Sequence, residues 1–342
     1  MTMRLHCPRL SGPLASRPLL PAIAVALCLL IGAQGAAISQ HVTRTHRIGF
    51  VSPTSPGPTE SAFREALREL GYVEGKNLAV EARFAEGRFE RFPELIAEVM
   101  RAKVDVLMVG SSPGALAAKK MTASIPIVFA GVTDPVGTGI VASLGRPGAN
   151  VTGITIGFGE SGIAGKWLEL IRDSVPKVTN IAVLVNLDNP VAGRNREVMR
   201  TAARNLHLQL DFIDARDVAV LEKGLAAIRS STAQAIILTN DPLFFNHRAR
   251  IVALIAEMRM PTVYFTSEFV DAGGLLSYGP SVTESYRRAA RLVDRILKGA
   301  KPAELPVEQP VDFELAVNLK TAKTLQLTIP QVVLVRANKI VE

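Results

Sequence analysis

Short apolar strands alternate with amphipathic helices from residue 46 to about residue 300, and this alternation restricts the fold more than any other feature. Arg47 to Val51 is predicted to be a strand. Between Thr59 and Leu70 the apolar residues recur at helical spacing, with Thr59 as the expected N-cap and Gly71 ending the helix. Strand and helix in repetition indicate a mostly parallel sheet with helices on both faces. The predicted fold class is therefore α/β.

A turn-rich stretch from Arg146 to Asn150 divides the strand–helix units into two sets. We therefore expect two doubly wound, Rossmann-like lobes joined by a hinge of crossing strands near residues 150–156 and 277–281. A ligand would bind in the cleft between such lobes, at the carboxyl ends of the strands. Lobe 1 is predicted to consist of residues 46–152 and 279–305, and lobe 2 of residues 153–278 and 306–342.

The first 37 residues are typical of an export signal peptide. Three arginines precede an uncharged apolar run from Leu19 to Ile31, and small residues follow at positions 33–37. The run is too short for a membrane-spanning helix, which needs about 20 residues. Cys7 and Cys28 both lie in this leader, so the mature chain is expected to have no disulfide and no thiol ligand. We expect a periplasmic protein without a membrane span after cleavage; an uncleaved anchor is the alternative.

The basic character of the chain does not by itself indicate a nucleic-acid partner. The net charge is +8 and the pI is about 9.7, but the densest basic clusters are pairs such as Lys119-Lys120 and Arg287-Arg288. Without residues 1–37, 36 basic residues face 31 acidic ones. Such a weak and scattered excess lacks the basic patch that a nucleic-acid interface requires. We therefore predict no nucleic-acid partner.

Gly110-Ser111-Ser112-Pro113-Gly114 matches the G-x-S-x-G motif of a hydrolase nucleophile elbow. The elbow needs the backbone N–H of the residue after the serine for its oxyanion hole, and Pro113 has no N–H. We expect instead that Ser112 is the N-cap of a helix that Pro113 opens. Hydroxyls and amides at such a helix start suit an anion, so anion binding is preferred here and a hydrolase stays a minor alternative.

Gly157-Phe158-Gly159-Glu160-Ser161-Gly162 matches the dinucleotide-binding motif G-x-G-x-x-G, and Asp188 follows the next strand. Glu160 would place a negative charge beside the pyrophosphate, which disfavours that function. A flexible glycine hinge is the preferred interpretation, and a dinucleotide-dependent enzyme is kept as an alternative. The histidines are isolated and show no metal-ligand spacing, so no metal and no cofactor are predicted.

Side chains directly after the predicted strands are expected to line the cleft. Most of them are neutral hydrogen-bonding groups, with several acids among them. Serines at a helix start can bind a carboxylate, and Asp241 or Glu268 could hold an ammonium group opposite it. The candidate ligand-binding residues are Ser52, Ser111, Ser112, Thr133, Asp134, Asn189, Asp241, Glu268 and Tyr278.

Six stretches that are distributed over almost the whole chain after the leader carry a family resemblance. They are Arg47 to Phe50 (RIGF), Leu67 to Asn77 (LRELGYVEGKN), Ile125 to Gly153, Arg250 to Val263, Asp271 to Pro280 (DAGGLLSYGP) and Asp294 to Gln326. In these stretches the sequence resembles the type I periplasmic solute-binding proteins of ABC transporters, in the branch related to tryptophan and tyrosine binders.

The resemblance implies a two-lobed, monomeric binder that closes around a small amino-acid-like or carboxylate-bearing solute. It would present the solute to an ABC permease and its ATPase, without catalytic residues and without a cofactor. It also implies that Ser111 or Ser112 and Thr133 hold the carboxylate, and that Asp241 or Glu268 holds the ammonium group. An exported ligand sensor would share this architecture and is the other alternative.

Overall fold

Two β-sheets with helices on both faces make up residues 45–157 and 163–342, which the computed structural model describes. The predicted leader and residues 158–162 of the second glycine motif lie outside the described residues. The strands are β1 (His46–Ser52), β2 (Leu78–Phe84), β3 (Val106–Gly110), β4 (Ile127–Val132), β5 (Val151–Thr155), β6 (Asn180–Val185), β7 (Gln209–Asp214), β8 (Ala235–Leu238), β9 (Thr262–Tyr264), β10 (Leu276–Gly279), β11 (Glu314–Asn318) and β12 (Lys339–Val341).

The helices connect these strands in the alternating manner that the sequence predicts. They are α1 (Pro58–Glu69), α2 (Phe92–Arg101), α3 (Ser112–Met121), α4 (Ile163–Ser174), α5 (Ala192–Asn205), α6 (Val218–Arg229), α7 (Pro242–Asn246), α8 (Arg248–Met258), α9 (Ser267–Asp271), α10 (Val282–Leu297), α11 (Leu319–Thr324) and α12 (Gln331–Leu334). Among the described residues, no helix combines the length and the apolar character needed to cross a membrane.

The first sheet is parallel, in the order β2-β1-β3-β4-β5, and the second has the order β12-β11-β10-β9-β8-β6-β7 with β10 and β11 antiparallel. The predicted α/β class with two doubly wound sheets is confirmed. In the first sheet the strand order reverses between β1 and β3. Loops leaving the two strands diverge at such a switch point, so a crevice opens at their carboxyl ends.

Each sheet is buried on both faces, as expected for helix-covered parallel strands. On one face of the first sheet, Phe50 packs with Phe63 of α1 and Ala289 of α10, and on the other face Phe92 of α2 packs with Phe129 of β4. The chain order is not the packing order: α10 follows β10 of the second sheet but packs against the first. This crossing brings side chains of α10 to the edge of the crevice.

The last residues of β4 deviate from regular pairing. The register between β4 and β5 shifts between Ala130 and Val132, and Gly131 in between has a φ of 71°. Such a bulge bends the strand and turns its backbone out of the ladder. The bulge lies at the carboxyl end of the sheet, directly before Thr133.

Two predicted helix caps are wrong by one or two residues. Helix α1 has Gly57 as its N-cap and Pro58 at its first position, so Thr59 lies inside the first turn, where it is buried. Helix α3 has Ser111, not Ser112, as its N-cap. Helices α7 and α9 are not predicted from the sequence, because five residues are too few to show a helical period.

Candidate functional site

A cavity with about 550 Å³ of atom-free volume lies between the carboxyl ends of the two sheets. Its walls come from loops of both sheets and from α10, and every described side chain that lines it is uncharged. The lining residues are Pro53, Thr54, Thr59, Ser111, Ser112, Ala130, Gly131, Thr133, Ile156, Asn189, Asn240, Pro242, Phe245, Val282 and Tyr286.

Helices α1 and α3, which pack on the first sheet, both begin at this cavity. Thr59 lies in the first turn of α1, and Ser111 and Ser112 lie at the start of α3. The Ser112 Oγ accepts a hydrogen bond from the Thr133 backbone N–H at 3.2 Å. This contact ties the start of α3 to the loop after β4. Unpaired backbone N–H groups and the helix dipole make both helix starts favourable for a negatively charged group.

Ser111 is held in an unusual conformation at the wall of the cavity. Its φ of 66° and ψ of 163° fall in a region that residues other than glycine rarely adopt. The side chain is only 6% exposed, and its Oγ has no hydrogen-bond partner among the described residues. A buried hydroxyl normally has a partner. The Ser111 hydroxyl therefore has unused hydrogen-bonding capacity at the wall of the cavity.

Ser52, one of the candidate residues from the sequence, does not line the cavity itself. Its Oγ is 3.2 Å from the Thr54 Oγ1 and also contacts the hydroxyl of Tyr286. Burial raises the pKa of Tyr286, so the phenol stays neutral and able to donate. Thr54 and Tyr286 line the cavity, and Ser52 supports both of them.

The wall from the second sheet is organised by Asp241, which is the N-cap of α7 and is only 3% exposed. Its Oδ1 accepts hydrogen bonds from the Asn186 Nδ2 at 3.2 Å and from the Leu243 backbone N–H at 2.9 Å. Its Oδ2 accepts a hydrogen bond from the Asn189 Nδ2 at 2.8 Å. Burial raises the pKa of Asp241 to about 6. Asn189 reaches the cavity, whereas the carboxylate of Asp241 does not.

Asp134 pairs with the other half of the molecule and does not line this cavity. Its Oδ2 lies 2.7 Å from the Arg194 Nε of α5, in an approach too oblique for a hydrogen bond. Its Oδ1 accepts a hydrogen bond from the Gly137 backbone N–H at 2.8 Å. Asp134 and Arg194 line a neighbouring cavity with about 900 Å³ of atom-free volume, which shares Thr133 with the first.

Glu268 and Tyr278 also lie outside the lining. Glu268 accepts a hydrogen bond from the Thr266 hydroxyl within the second lobe, and burial raises the pKa of its carboxyl. Tyr278 stacks on Phe313 with ring centroids 5.7 Å apart. Neither residue reaches the cavity, because both side chains are engaged by their own sheet.

Two further contacts join the two walls at the edge of the cavity. Asn246 at the end of α7 accepts hydrogen bonds from the backbone N–H of Ser55 at 3.2 Å and from its hydroxyl at 2.9 Å. Gly87 packs so tightly on Leu243 that a Cβ at Gly87 would lie 3.3 Å from the Leu243 Cα. Together with the Asp134–Arg194 ion pair, these contacts hold the two walls close to each other.

Four of the nine nominated residues are brought together around the cavity, namely Ser111, Ser112, Thr133 and Asn189. Their role as ligand contacts stays a prediction. Thr59, Phe245 and Tyr286 also line the cavity, but they are not among the candidates predicted from the sequence. Thr59 follows from the rule that a helix start points at the cleft, whereas nothing local marks Tyr286, which α10 brings from the far end of the chain.

The fold agrees with the comparisons to known proteins. A family model described as ABC transporter substrate binding protein matches residues 48–341, and the chain belongs to this family. A tyrosine-binding protein of Clostridioides difficile (strain R20291) is 26% identical over 277 residues, which cover 78% of this chain and 76% of the relative.

Solved structures show the same fold. The ABC domain from Streptococcus pneumonia in complex with L-Trp is 22% identical and covers 87% of this chain and 100% of its own, with a TM-score of 0.79. A conserved domain protein from Vibrio cholerae is 27% identical with the same coverage and a TM-score of 0.80.

Proposed function

We propose that this chain is the extracytoplasmic solute-binding component of an ABC importer. It binds a small amino-acid-like or carboxylate-bearing solute in the cavity between its two sheets. The lobes, with the boundaries predicted above, close around the solute by a hinge motion, and the ligand favours the closed state through contacts that it makes to both walls. No bond of the solute is made or broken.

The observation that carries this proposal is the uncharged cavity at two helix starts with the free hydroxyl of Ser111. A carboxylate there meets the hydroxyls of Ser111 and Thr59 and the partial positive charge of α1 and α3. Among the described residues, no acid lines the cavity to favour a cation. An ammonium group of an amino acid would face amide and hydroxyl oxygens, such as those of Asn240, in place of a carboxylate.

The partners and the compartment follow from the family and from the leader. The basic, apolar and small-residue pattern of residues 1–37 is the export signal that would place the chain in the periplasm. The family description names ABC transporters, so an ABC permease and its ATPase are the proposed recipients of the solute.

A thermal-shift screen tests the ligand class, because a ligand stabilises the folded state by mass action. The panel contains L-tyrosine, L-tryptophan, their deaminated carboxylic acids and their carboxamides. We expect the compounds with a free carboxylate to raise the unfolding temperature and the carboxamides to fail. Equal shifts by acid and carboxamide would contradict carboxylate recognition. Recovery of the bound compound unchanged by mass spectrometry tests the absence of turnover.

The Ser111→Ala variant connects the screen to the cavity. Loss of one hydrogen bond to a charged group is expected to weaken the best carboxylate hit by about tenfold. Ser174→Ala is the matched control, since the Ser174 hydroxyl is also buried and unpartnered but lies outside the cavity. Similar losses in the two variants, measured by calorimetry, would remove Ser111 from the site.

A further inference from the structure

The second wall of the cavity depends on a carboxylate that does not reach the cavity. Asp241 accepts hydrogen bonds from the side-chain amides of Asn186 and Asn189 and from the backbone of Leu243. Asn186 and Asn189 belong to the loop after β6, while Asp241 belongs to the loop after β8. One side chain thus joins the two loops that build this wall.

Both asparagine side chains are hydrogen-bonded through their oxygen and through their nitrogen. The Asn186 Oδ1 accepts a hydrogen bond from the Asp188 backbone N–H at 3.0 Å, and the Asn189 Oδ1 accepts one from the Val191 backbone N–H at 3.3 Å. Each amide is therefore oriented at both ends, with its nitrogen towards Asp241. Such an orientation requires two acceptor oxygens on residue 241.

The groups that hold the Asp241 carboxylate are all uncharged amides. Among the charged neighbours on the packed loops, Asp188 is exposed and lies 3.6 Å from Arg216, which also pairs with Asp214 at 2.6 Å. His247 caps the far end of α7. The charge of Asp241 is therefore balanced by amide dipoles alone, in a setting where burial disfavours the ionised form.

We propose that Asp241 is a positioning residue whose ionised carboxylate fixes the orientation of Asn186 and Asn189, so that binding in the cavity is coupled to its ionisation. The proposal rests on the proposed function in that it concerns the same cavity. On protonation, one carboxyl oxygen carries the proton, so it becomes a donor and a much weaker acceptor for an amide. One asparagine must then turn, and the wall loses its preset geometry. Since the pKa of Asp241 is raised to about 6, acidification from pH 7.5 to pH 5 crosses this change.

Nuclear magnetic resonance of the secreted, ligand-free protein tests the positioning directly. The side-chain amide signals of Asn186 and Asn189, assigned by single substitution, are expected to shift with a common midpoint near pH 6. The shift should vanish in Asp241→Asn and persist in Asp217→Asn, a matched variant at the N-cap of α6. The variant His247→Gln tests whether the imidazole of His247, and not Asp241, causes the shift of the amide signals. Asparagine amide signals that do not change with pH, or that change equally in Asp241→Asn, would overturn the proposal.

Calorimetry with L-tyrosine and L-tryptophan as probes tests the coupling to binding. If only the ionised form binds, the affinity should fall about tenfold from pH 7.5 to pH 5, because the protonated fraction then dominates. Asp241→Asn should bind weakly at both pH values while its unfolding temperature stays at or above that of the wild type. Tight, pH-independent binding by Asp241→Asn overturns the proposal. Failure of both probes to bind any variant counts against the ligand class, and the resonance titration still decides the role of Asp241.

Discussion

Ser111 shows how a single residue can hold an unfavourable conformation where a ligand site needs it. The adjacent Gly110 precedes it at the end of β3, and the serine itself has the positive φ. A conformation of this kind costs on the order of 1–3 kcal/mol for a residue with a Cβ. A glycine at position 111 would remove that cost, but it would also remove the hydroxyl that we propose as a ligand contact.

Ser111→Gly is therefore expected to stabilise the protein by about 1–3 kcal/mol and to weaken binding of a carboxylate at the same time. Urea unfolding and calorimetry measure the two effects. The control is Ala149→Gly, since Ala149 has a φ of 58° in a loop outside the cavity. It should gain stability without loss of affinity. A Ser111→Gly variant that binds as tightly as the wild type contradicts the assigned use of the hydroxyl.

The raised pKa of Asp241 also predicts how the free energy of unfolding depends on pH. Its carboxyl ionises near 3.8 in the unfolded chain and near 6 in the folded protein. Between these values the folded state holds a proton that the unfolded state has lost, so the free energy of unfolding falls as the pH rises. Relative to Asp241→Asn, the wild type should lose about 3 kcal/mol between pH 3.5 and pH 7. A pH-independent difference in denaturant unfolding would contradict this.

Among the elements, α10 connects the two halves of the molecule. It begins at the Ser281 N-cap, whose Oγ accepts a hydrogen bond from the Glu284 backbone N–H at 3.1 Å, and it then packs along α1. Its residues Val282 and Tyr286 reach the cavity. The end of β3 fits under this helix because Gly110 has no side chain: a Cβ there would overlap the Tyr286 hydroxyl and the Pro53 ring.

Gly110→Ala is accordingly expected to destabilise the protein by about 1–3 kcal/mol, the usual cost of overpacking a buried contact. It should also disturb the cavity, because Pro53 and Tyr286 must move. Gly145→Ala is the control, since a Cβ at Gly145 meets nothing within 4 Å. Thermal unfolding of the two variants measures the difference. Equal unfolding temperatures would show that α10 does not press on β3.

The alternation of strands and helices predicts the elements well, and it fails where tertiary contacts act. The predicted strand Arg47 to Val51 lies within β1 and is one residue short at each end, since a short apolar run before a turn is typical of a buried strand. Helix α7 does not follow from the alternation. Its five residues are helical because Asp241 caps them and because Leu243 and Phe244 are buried, which no local period reveals.

For the whole molecule, the contacts between the two walls determine how closed the cavity is. The Ser55–Asn246 hydrogen bonds and the Asp134–Arg194 ion pair cross from one wall to the other, and neither Asn246 nor Arg194 lines the ligand cavity. Any free energy they contribute favours the closed form with or without a ligand. The ligand then needs less differential affinity to close the lobes.

Arg194→Ala is expected to shift the ligand-free protein towards an open form and to weaken ligand binding severalfold, with little change in stability because the arginine is half exposed. Small-angle X-ray scattering should show a larger radius of gyration. Arg200→Ala serves as the control on the same helix, since Arg200 pairs with Glu197 at 2.7 Å and lies over the ring of Phe212 in β7, and neither contact crosses between the two walls. An unchanged radius and affinity in Arg194→Ala would assign no closing role to the ion pair.

The sequence by itself determined the α/β class, the two sets of strands and the ends of the strands at which the cavity lies. These follow from local periodicity, which each segment carries in its own residues. The tertiary structure alone decided that Ser111 lies at the cavity wall with a hydroxyl that has no partner among the described residues, while Asp241 lies behind Asn189. These positions depend on burial and on hydrogen bonds between loops that are distant in sequence, so the residues of a single loop do not determine them.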